Sequence, residues 1–383
     1  MYNFQYANPT RVCFGEGQIA RLPELIPAGS RLLVLYGGGS IKQNGVYEQL
    51  TQALAGREWL EFPGIGANPQ YDQLMEAVAL VKRERIDFLL AVGGGSVVDG
   101  SKFVAAAACF EGADPWEILL HKAPIKVALP LGCVLTLPAT GSESNPAAVV
   151  SRGEAKLSFM NPLVQPVFAV LDPTTTYSLP PRQVGNGVVD AFVHIIEQYL
   201  TFPVGGEVQD RLAEGLLQVL VDNGPRALTE PTNYQVRANL MWAASLALNG
   251  LIGRGVPQDW STHAIGHQLT ALHGLDHAQS LAVVLPSLLR EQSVQKQEKL
   301  AQFAERVWHS SREDKALRIE EAIIRTEQFF QQMGVGTRLA DYGLSESCIP
   351  GICSNLKRFG LTALGEQQDI DPDKVARILS HAL

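Results

Sequence analysis

Long apolar runs, paired cysteines and clustered positive charge are all missing from this sequence. The longest apolar windows, such as "KVALPLGCVLTLPA" at 126–139, are short and interrupted by proline, so no membrane span is expected. The five cysteines are odd in number, irregularly spaced and without a CxxC pair, which favours reduced thiols in a cytoplasmic protein over a disulfide framework. The first residues, "MYNFQYANPTRVCFGEG", show no charged head before an apolar core, so no secretory signal is expected.

The charge balance argues against several kinds of partner. Lys and Arg number 31 against 39 Asp and Glu, a formal net charge of −8, and the basic residues form no stripe. Binding to nucleic acid or to an anionic membrane surface is therefore not expected, and a small-molecule partner is favoured. At 383 residues with a hydrophobic content of 46%, the chain is long enough for two domains with large cores.

Apolar runs in the first half alternate with helical patterns. This alternation is typical of a mostly parallel sheet covered on both faces, so we predict a Rossmann-like α/β dinucleotide-binding domain over 1–180. Helical patterns dominate after Pro180 and Pro181 and predict an all-helical domain over 181–383. The predicted strands lie at 31–36, 57–62, 88–92, 126–137 and 166–171, and one predicted helix covers 69–85.

Two of these strands end in the same glycine-rich turn. "LLVLYGGGS" at 32–40 and "FLLAVGGGS" at 88–96 each place backbone N–H groups after a strand, where phosphate is readily bound. Neither fits the dinucleotide fingerprint GxGxxG, because Lys42 and Val98 stand where the third glycine belongs. The second turn runs into an Ala-rich helix and is predicted to hold a pyrophosphate. A tight turn without a ligand is the alternative for each copy.

The first turn indicates the cofactor. An NAD-specific enzyme is expected to carry an acid at the end of this strand to bind the ribose 2′-hydroxyl. Here the strand is followed by Gly37, Gly38, Gly39 and Ser40, with Lys42 beyond them. The space is expected to be uncharged and bordered by a cation, so NADP is predicted in preference to NAD.

A third strand is followed by a loop that is rich in hydroxyl groups, "LTLPATGSESNPAA" at 135–148. Its Thr136, Thr140 and Ser142 are candidates for hydrogen bonds to phosphate or ribose. The alternative is a plain turn, which Ser and Thr clusters in loops often form.

Histidine is concentrated in one segment. Four of the eight histidines lie in "HAIGHQLTALHGLDH" at 263–277. His263 and His267 share one face of a helix predicted over 261–272, and Gly274 is expected to end that helix. The cluster favours a metal site, with a polar helix face and solvated loop histidines as the alternative.

A second pair can complete such a site. Asp190 and His194 in "NGVVDAFVHIIEQY" lie four residues apart, opposite an apolar stripe. The HxxxH pair is not the metalloprotease motif HExxH, because Ala264 stands in the glutamate position. Spacing alone leaves open which of the clustered histidines are ligands.

The motifs taken together resemble the iron-containing, or group III, alcohol dehydrogenases. They are the two GGGS turns with Asp99 after the second, "TGSE" at 140–143, DxxxH at 190–194, and HxxxH followed by His277. The resemblance runs nearly end to end and points to the bacterial branch of NADPH-dependent aldehyde reductases and butanol dehydrogenases. It implies the architecture shared with dehydroquinate synthase: a dinucleotide domain, a helical domain and a divalent metal in the cleft between them.

The resemblance also implies roles for the histidines. The metal ligands are expected to be Asp190, His194, His263 and His277. His267 is expected beside the nicotinamide and the substrate without ligating the metal, and completes the expected catalytic set. His273 is a further candidate near the site.

For the dinucleotide, the resemblance places the pyrophosphate on residues 93–96 and the adenosine 2′-phosphate on residues 38–40. Lys156 and the hydroxyl residues after the third strand are expected at the nicotinamide half. Many members carry an acid where Gly37 stands, and its absence here argues against NAD. The residues expected to contact the dinucleotide are Gly37, Gly38, Gly39, Ser40, Lys42, Asn68, Gly94, Gly95, Ser96, Asp99, Thr136, Thr140, Ser142 and Lys156.

The expected activity is hydride transfer between NADP(H) and short-chain aldehydes or primary alcohols, such as butanal and butanol, with one metal ion polarising the carbonyl oxygen. Imidazole and carboxylate ligands do not choose between Fe²⁺ and Zn²⁺. The alternatives are a lyase or cyclase of the dehydroquinate synthase type, for which few cations are available, and a non-enzymatic dinucleotide sensor. A homodimer is expected because dimers are the commonest arrangement of soluble oligomers.

Overall fold

A computed structural model describes all 383 residues, which form eight strands and fourteen α-helices. No helix combines the length and the apolar character needed to cross a membrane. The strands are β1 Arg11–Phe14, β2 Leu32–Tyr36, β3 Trp59–Phe62, β4 Phe88–Gly94, β5 Leu131–Leu137, β6 Ala147–Arg152, β7 Ala155–Met160 and β8 Phe168–Leu171. The helices are α1 Leu22–Leu25, α2 Val46–Ala53, α3 Tyr71–Glu84, α4 Gly95–Ala107, α5 Glu117–Leu120, α6 Pro181–Tyr199, α7 Glu207–Thr229, α8 Tyr234–Ala247, α9 Ser261–His273, α10 His277–Glu291, α11 Gln297–Arg306, α12 Lys315–Gln332, α13 Ile349–Arg358 and α14 Pro372–Ser380.

The chain divides into two compact units. An α/β unit contains residues 7–179 together with 231–241. A helical unit contains residues 1–6, 180–230 and 242–383. The predicted fold class, a parallel-sheet domain followed by a helical domain, is confirmed.

The α/β unit is built on a six-stranded sheet with the order β1-β8-β5-β4-β2-β3, in which every pair of neighbours is parallel. Strand β1 and the antiparallel hairpin β6–β7 have no counterpart among the predicted strands. The strand predicted over 126–137 was too long at its start, since β5 begins only at Leu131. Pro130 precedes it, and proline has no backbone N–H to give to a sheet.

The middle of the sheet is fully buried, which explains why its strands are continuous apolar runs. All five residues of β2 are buried. Phe88 and Phe168 stack with ring centroids 6.1 Å apart. Gly132 lies beneath this pair, where a Cβ atom would come within 2.1 Å of the Phe168 ring. Glycine at position 132 of β5 therefore leaves room for the phenylalanines on β8 and β4, the strands on either side of it.

The helical unit is organised around α6. This helix starts with proline at its first position, which suits the fixed φ of that residue. From Gly187 to its end, every residue of α6 is buried. Phe192 lies at the centre of an aromatic cluster, with its ring centroid 5.4 Å from those of Phe329 and Phe330. The helix that carries Asp190 and His194 is thus held on all sides.

Candidate functional site

The two GGGS turns lie side by side. They follow β2 and β4, which are adjacent parallel strands, so both turns stand at the same edge of the sheet. The third loop follows β5, the next strand along. In open parallel sheets, ligands bind at the carboxyl ends of the strands. The three motifs that were predicted separately therefore form one continuous edge.

The second turn leads directly into a helix. Gly94 ends β4, and Gly95 and Ser96 open α4, whose first N–H groups have no partner within the helix. Thr140 from the third loop packs over this start, and a Cβ atom on Gly95 would lie 2.3 Å from the Thr140 Oγ1 atom. Glycine at position 95 therefore lets the third loop pack directly against the start of α4.

Asp99 and Ser142 meet beneath this helix start. The Ser142 hydroxyl donates to Asp99 Oδ1 at 2.5 Å, and the Val149 N–H donates to Oδ2 at 3.0 Å. Desolvation raises the pKa of Asp99. Lys156 on the hairpin and Thr136 on β5 are both buried. The positive charge of Lys156 opposes the effect of desolvation and lowers the pKa of Asp99.

A lysine that the sequence analysis missed completes this network. Lys102 is fully buried, and its ammonium donates to the Ser142 hydroxyl at 2.8 Å and to the Ala147 carbonyl at 2.6 Å. Burial lowers the pKa of Lys102 to about 8. The GGGSxxDGSK spacing, which puts Lys102 one turn after Asp99 on α4, was the available signal. This cation positions the serine that was predicted at the nicotinamide half.

The first turn is more open than the second. The Gly64 N–H donates to the Gly37 carbonyl at 3.0 Å, which fixes the backbone just after β2. A Cβ atom on Gly38 or Gly39 would meet nothing within 4 Å, and Gly39 has a left-handed φ of 96°. Asn68, in the loop after β3, also has a positive φ, and its carbonyl accepts from Gln70.

Lys42 is not an isolated cation beside this turn. Its ammonium lies 3.2 Å from Glu61 Oε2 and 4.7 Å from the centre of the Tyr47 ring. Tyr36 and Tyr47 both donate their hydroxyl protons to the same carboxylate. Hydrogen bonds to Tyr36 and Glu61 raise the pKa of Lys42. The expectation of a space without acids was therefore incomplete, because pairing of β2 with β3 brings Glu61 to the lysine.

Four ligand atoms converge in the helical unit. Asp190, His194, His263 and His277 each offer one atom, and these atoms all lie within 4.8 Å of one another. Asp190 Oδ1 is 3.5 Å from His277 Nε2, 3.7 Å from His194 Nε2 and 3.9 Å from His263 Nε2. The two nitrogens His194 Nε2 and His263 Nε2 are 3.0 Å apart.

These separations fit a transition-metal site. Ligand bonds of about 2.0–2.2 Å in a tetrahedral arrangement place ligand atoms roughly 3.3–3.6 Å apart. Burial lowers the pKa of His194 to about 4, so this ring is neutral at pH 7 and has a lone pair to give to a metal. An ion that takes five or six ligands would, when held by three imidazoles and one carboxylate, keep at least one position for an oxygen of the substrate.

Three helices bring these residues together. Asp190 and His194 are one turn apart on α6, and His263 lies in the first turn of α9. Gly274 ends α9 in a left-handed conformation with φ 73°, as predicted, and the chain turns back so that His277 opens α10.

The start of α10 is tied to α6. Asp276 caps α10 and accepts hydrogen bonds from Arg182 at 2.6 Å and Asn186 at 2.8 Å, both in the first turns of α6. This cap sets the position of His277, which follows it directly.

Glu197 supports the site from behind and was not predicted. Its carboxylate bonds His263 Nδ1 with one oxygen and accepts from the Thr262 N–H at 2.6 Å with the other. A carboxylate behind a ligating histidine fixes the orientation of the ring and raises its basicity. Burial raises the pKa of Glu197. The position one turn after His194 on α6 was the available signal.

The two remaining histidines of the cluster differ. His267 is half-buried, and its ring centroid is 5.4 Å from that of His277 and 6.2 Å from that of His263. His273 is exposed at the end of α9. The geometry therefore places His267 beside His263 and His277.

The chain is similar to known proteins along its whole length. The family described as iron-containing alcohol dehydrogenase matches residues 9–173, and the C-terminal part of that family matches residues 185–383. The NADPH-dependent aldehyde reductase YqhD of Escherichia coli is 58% identical, over the full length of both chains. A probable NADH-dependent butanol dehydrogenase of Bacillus subtilis is 37% identical, again over both full lengths.

Solved structures give the same result. The crystal structure of Escherichia coli YqhD has a TM-score of 0.99 at 57% identity and covers 100% of this chain and 99% of its own. The NADH-dependent butanol dehydrogenase A of Thermotoga maritima has a TM-score of 0.95 at 35% identity and covers 100% of this chain and 99% of its own. Matches of this extent, along both units, show that the chain belongs to the iron-containing alcohol dehydrogenase family.

Proposed function

We propose that this chain is an NADPH-dependent, metal-containing alcohol dehydrogenase that reduces short-chain aldehydes such as butanal to primary alcohols. The observation that carries the proposal is the convergence of Asp190, His194, His263 and His277 within one ligand sphere in a member of this family. The relative with 58% identity is an NADPH-dependent aldehyde reductase, and other relatives are butanol dehydrogenases. The lyase and sensor alternatives have no comparable support.

The four ligands would hold one Fe²⁺ or Zn²⁺ ion, which when bound supplies a Lewis acid for the carbonyl oxygen of the aldehyde. The side chains of the protein would hold the metal ion in a fixed position. Asp190 contributes a buried carboxylate, and Glu197 holds the His263 ring in the orientation that aims Nε2 at the other ligands. His267, whose ring centroid is 5.4 Å from that of His277, is the proposed source of the proton that the product alcohol needs.

The sheet edge would hold the dinucleotide, whose nicotinamide supplies the hydride. The free N–H groups at Gly95 and Ser96 suit the pyrophosphate, and the open space at Gly38 and Gly39 suits the 2′-phosphate of NADP. Thr140 and Ser142 from the third loop, with Thr136 and Lys156, would position the nicotinamide half. Asn68, Asp99 and Lys42 complete the proposed cofactor set.

The central experiment is metal removal and return. The purified chain should consume NADPH with butanal, lose this activity when a chelator removes the metal, and regain it with Zn²⁺ or Fe²⁺. His263→Ala should abolish both metal binding and activity, whereas the matched control His273→Ala, on the same helix but exposed, should leave both unchanged. Full activity in protein shown by elemental analysis to contain no metal would overturn the proposal.

The oligomeric state and the cellular location are further parts of the proposal. We infer a cytoplasmic homodimer, because all five cysteines are free, as expected in a reducing compartment, and because dimers are the commonest closed oligomers. Light scattering on the purified chain tests the dimer, and fractionation of the native cells tests the location.

A further inference from the structure

A buried ion cluster joins the two helices that carry three of the four ligand residues. Lys296 precedes α11, and its ammonium lies 2.8 Å from Asp259 Oδ2 and 2.6 Å from Glu366 Oε1. The side chains of Lys296, Asp259 and Glu366 are only 2%, 4% and 3% exposed. The same ammonium donates to the Leu200 carbonyl at 2.8 Å. A cluster as deeply buried as this requires its bonds to be complete, because each unpaired charge is costly.

Two of the partners of Lys296 lie at the ends of the two ligand-bearing helices. Leu200 is the C-cap of α6, so the ammonium binds a carbonyl at the negative end of that helix. Asp259 lies just before α9, and its other oxygen accepts hydrogen bonds from the N–H and the hydroxyl of Ser261, the first residue of α9. One cation thus bonds the end of one ligand-bearing helix and the start of the other.

The turn into α9 needs such support. Trp260, between Asp259 and Ser261, has a left-handed φ of 65°, a backbone conformation that residues other than glycine rarely adopt. His263 follows in the first turn of α9. The Asp259 N–H also donates to the Glu197 carbonyl at 2.8 Å, so this segment is bonded to the residue behind the His263 ring. Release of Asp259 would free the turn that sets the position of His263.

We propose that Lys296 is a positioning residue for the metal site, which it serves by bonding the end of α6 and Asp259 ahead of α9 and so fixing the distance between Asp190, His194 and His263. The inference rests on the proposed function, because it assumes that these residues bind a metal. Lys296 touches neither ligand nor reacting atoms and acts through Asp259. Although burial disfavours its charge, the Asp259 and Glu366 carboxylates hold the pKa of Lys296 above its ordinary value.

The chain offers a matched control. Lys299 lies on the following turn, is also buried, and bonds Asp210 of α7 while its ammonium lies 4.5 Å from the centre of the Tyr199 ring. Lys296→Met and Lys299→Met each remove the cation from a carboxylate partner, buried at Asp259 and Glu366 and partly buried at Asp210, so both should lower Tm. Only the first removes a bond to the segment before α9.

The experiment measures the dissociation constant of Co²⁺ by chelator competition, with the visible Co²⁺ spectrum as a record of ligand geometry. Lys296→Met and the isosteric Asp259→Asn should each weaken Co²⁺ binding about tenfold and shift the spectrum, as variants behind metal ligands do. Glu197→Gln serves as the positive reference, and Lys299→Met should change the affinity less than twofold. The double variant Lys296→Met with Asp259→Asn should lose little more than either alone, because both act on one bond.

Equal affinities for wild type, Lys296→Met and Asp259→Asn would overturn the inference, as would an equal loss in Lys299→Met. If circular dichroism shows that Lys296→Met is unfolded, Asp259→Asn, which keeps the shape of the side chain, decides the question alone. A folded wild-type chain that binds no divalent metal would overturn the proposed function as well, so the two failures are distinguishable.

Discussion

The absence of a side chain at Gly37 gives the sharpest prediction about cofactor choice. Gly37→Asp should weaken NADPH binding and leave NADH binding intact or tighter, because a carboxylate repels the 2′-phosphate and accepts from a ribose 2′-hydroxyl. A Cβ atom at this position would lie 3.3 Å from the Ile65 carbonyl oxygen and 3.7 Å from Val97 Cγ2, so any side chain meets a tight fit. Gly37→Asn has nearly the same shape and carries no charge. The difference between the Asp and Asn variants therefore isolates electrostatics.

The size of that difference follows from the partial exposure of the turn. A phosphate with a charge near −2 and a carboxylate about 6 Å away repel by about 1.4 kcal/mol in water, and by more where water is excluded. About 1.4 kcal/mol is a tenfold change in Kd. The assay is fluorescence titration with NADPH and NADH at low salt, where screening is weakest. Equal NADPH affinity in the Asp and Asn variants would refute the assignment of this turn to the 2′-phosphate.

Two further predictions concern stability. Gly95→Ala should lower the free energy of unfolding by about 1–3 kcal/mol, because its Cβ would overlap Thr140. Gly38→Ala, where the added Cβ meets open space, should change the free energy of unfolding by less than about 0.5 kcal/mol. Urea unfolding without nucleotide measures both variants, and equal effects would contradict the packing argument. Burial lowers the pKa of Lys102 to about 8 from an ordinary value of 10.5, so between these pH values the unfolded chain binds more protons and stability rises with pH. This contribution should be absent from Lys102→Met, so wild type and variant should differ in slope between pH 8 and 10.5; parallel curves would show that Lys102 keeps an ordinary pKa.

Local sequence patterns were sufficient to predict most of the central strands and the helical half of the fold. The apolar runs before the GGGS turns became β2 and β4 because central parallel strands must be apolar on both faces. β1, in contrast, has only four residues and a single buried one, Cys13. Its place at the edge of the sheet depends on pairing with β8, which no local pattern records.

In the candidate site, too, local spacing predicted some residues, while others depend on contacts between distant parts of the chain. The spacing of Asp190 with His194 and of His263 with His267 identified two helical pairs, but left the ligand choice open until the resemblance implied it. Contact between α6 and α9 puts Glu197 behind His263, and the register of β2 with β3 puts Glu61 beside Lys42. Both contacts are made by distant parts of the chain. Functional residues that share one helix or strand are therefore visible in the local spacing of the sequence, whereas residues that meet across elements are not.

The three-helix origin of the ligand set has a consequence for the lifetime of the protein. An ion bound to α6, α9 and α10 at once would act as a cross-link that exists only in the folded state. At a free metal concentration 1,000 times Kd, such a ligand adds about 4.1 kcal/mol to the free energy of unfolding. Starvation for metal would then do more than stop catalysis. It would leave the helical unit open to proteases, so the supply of the ion would set how much enzyme the cell retains.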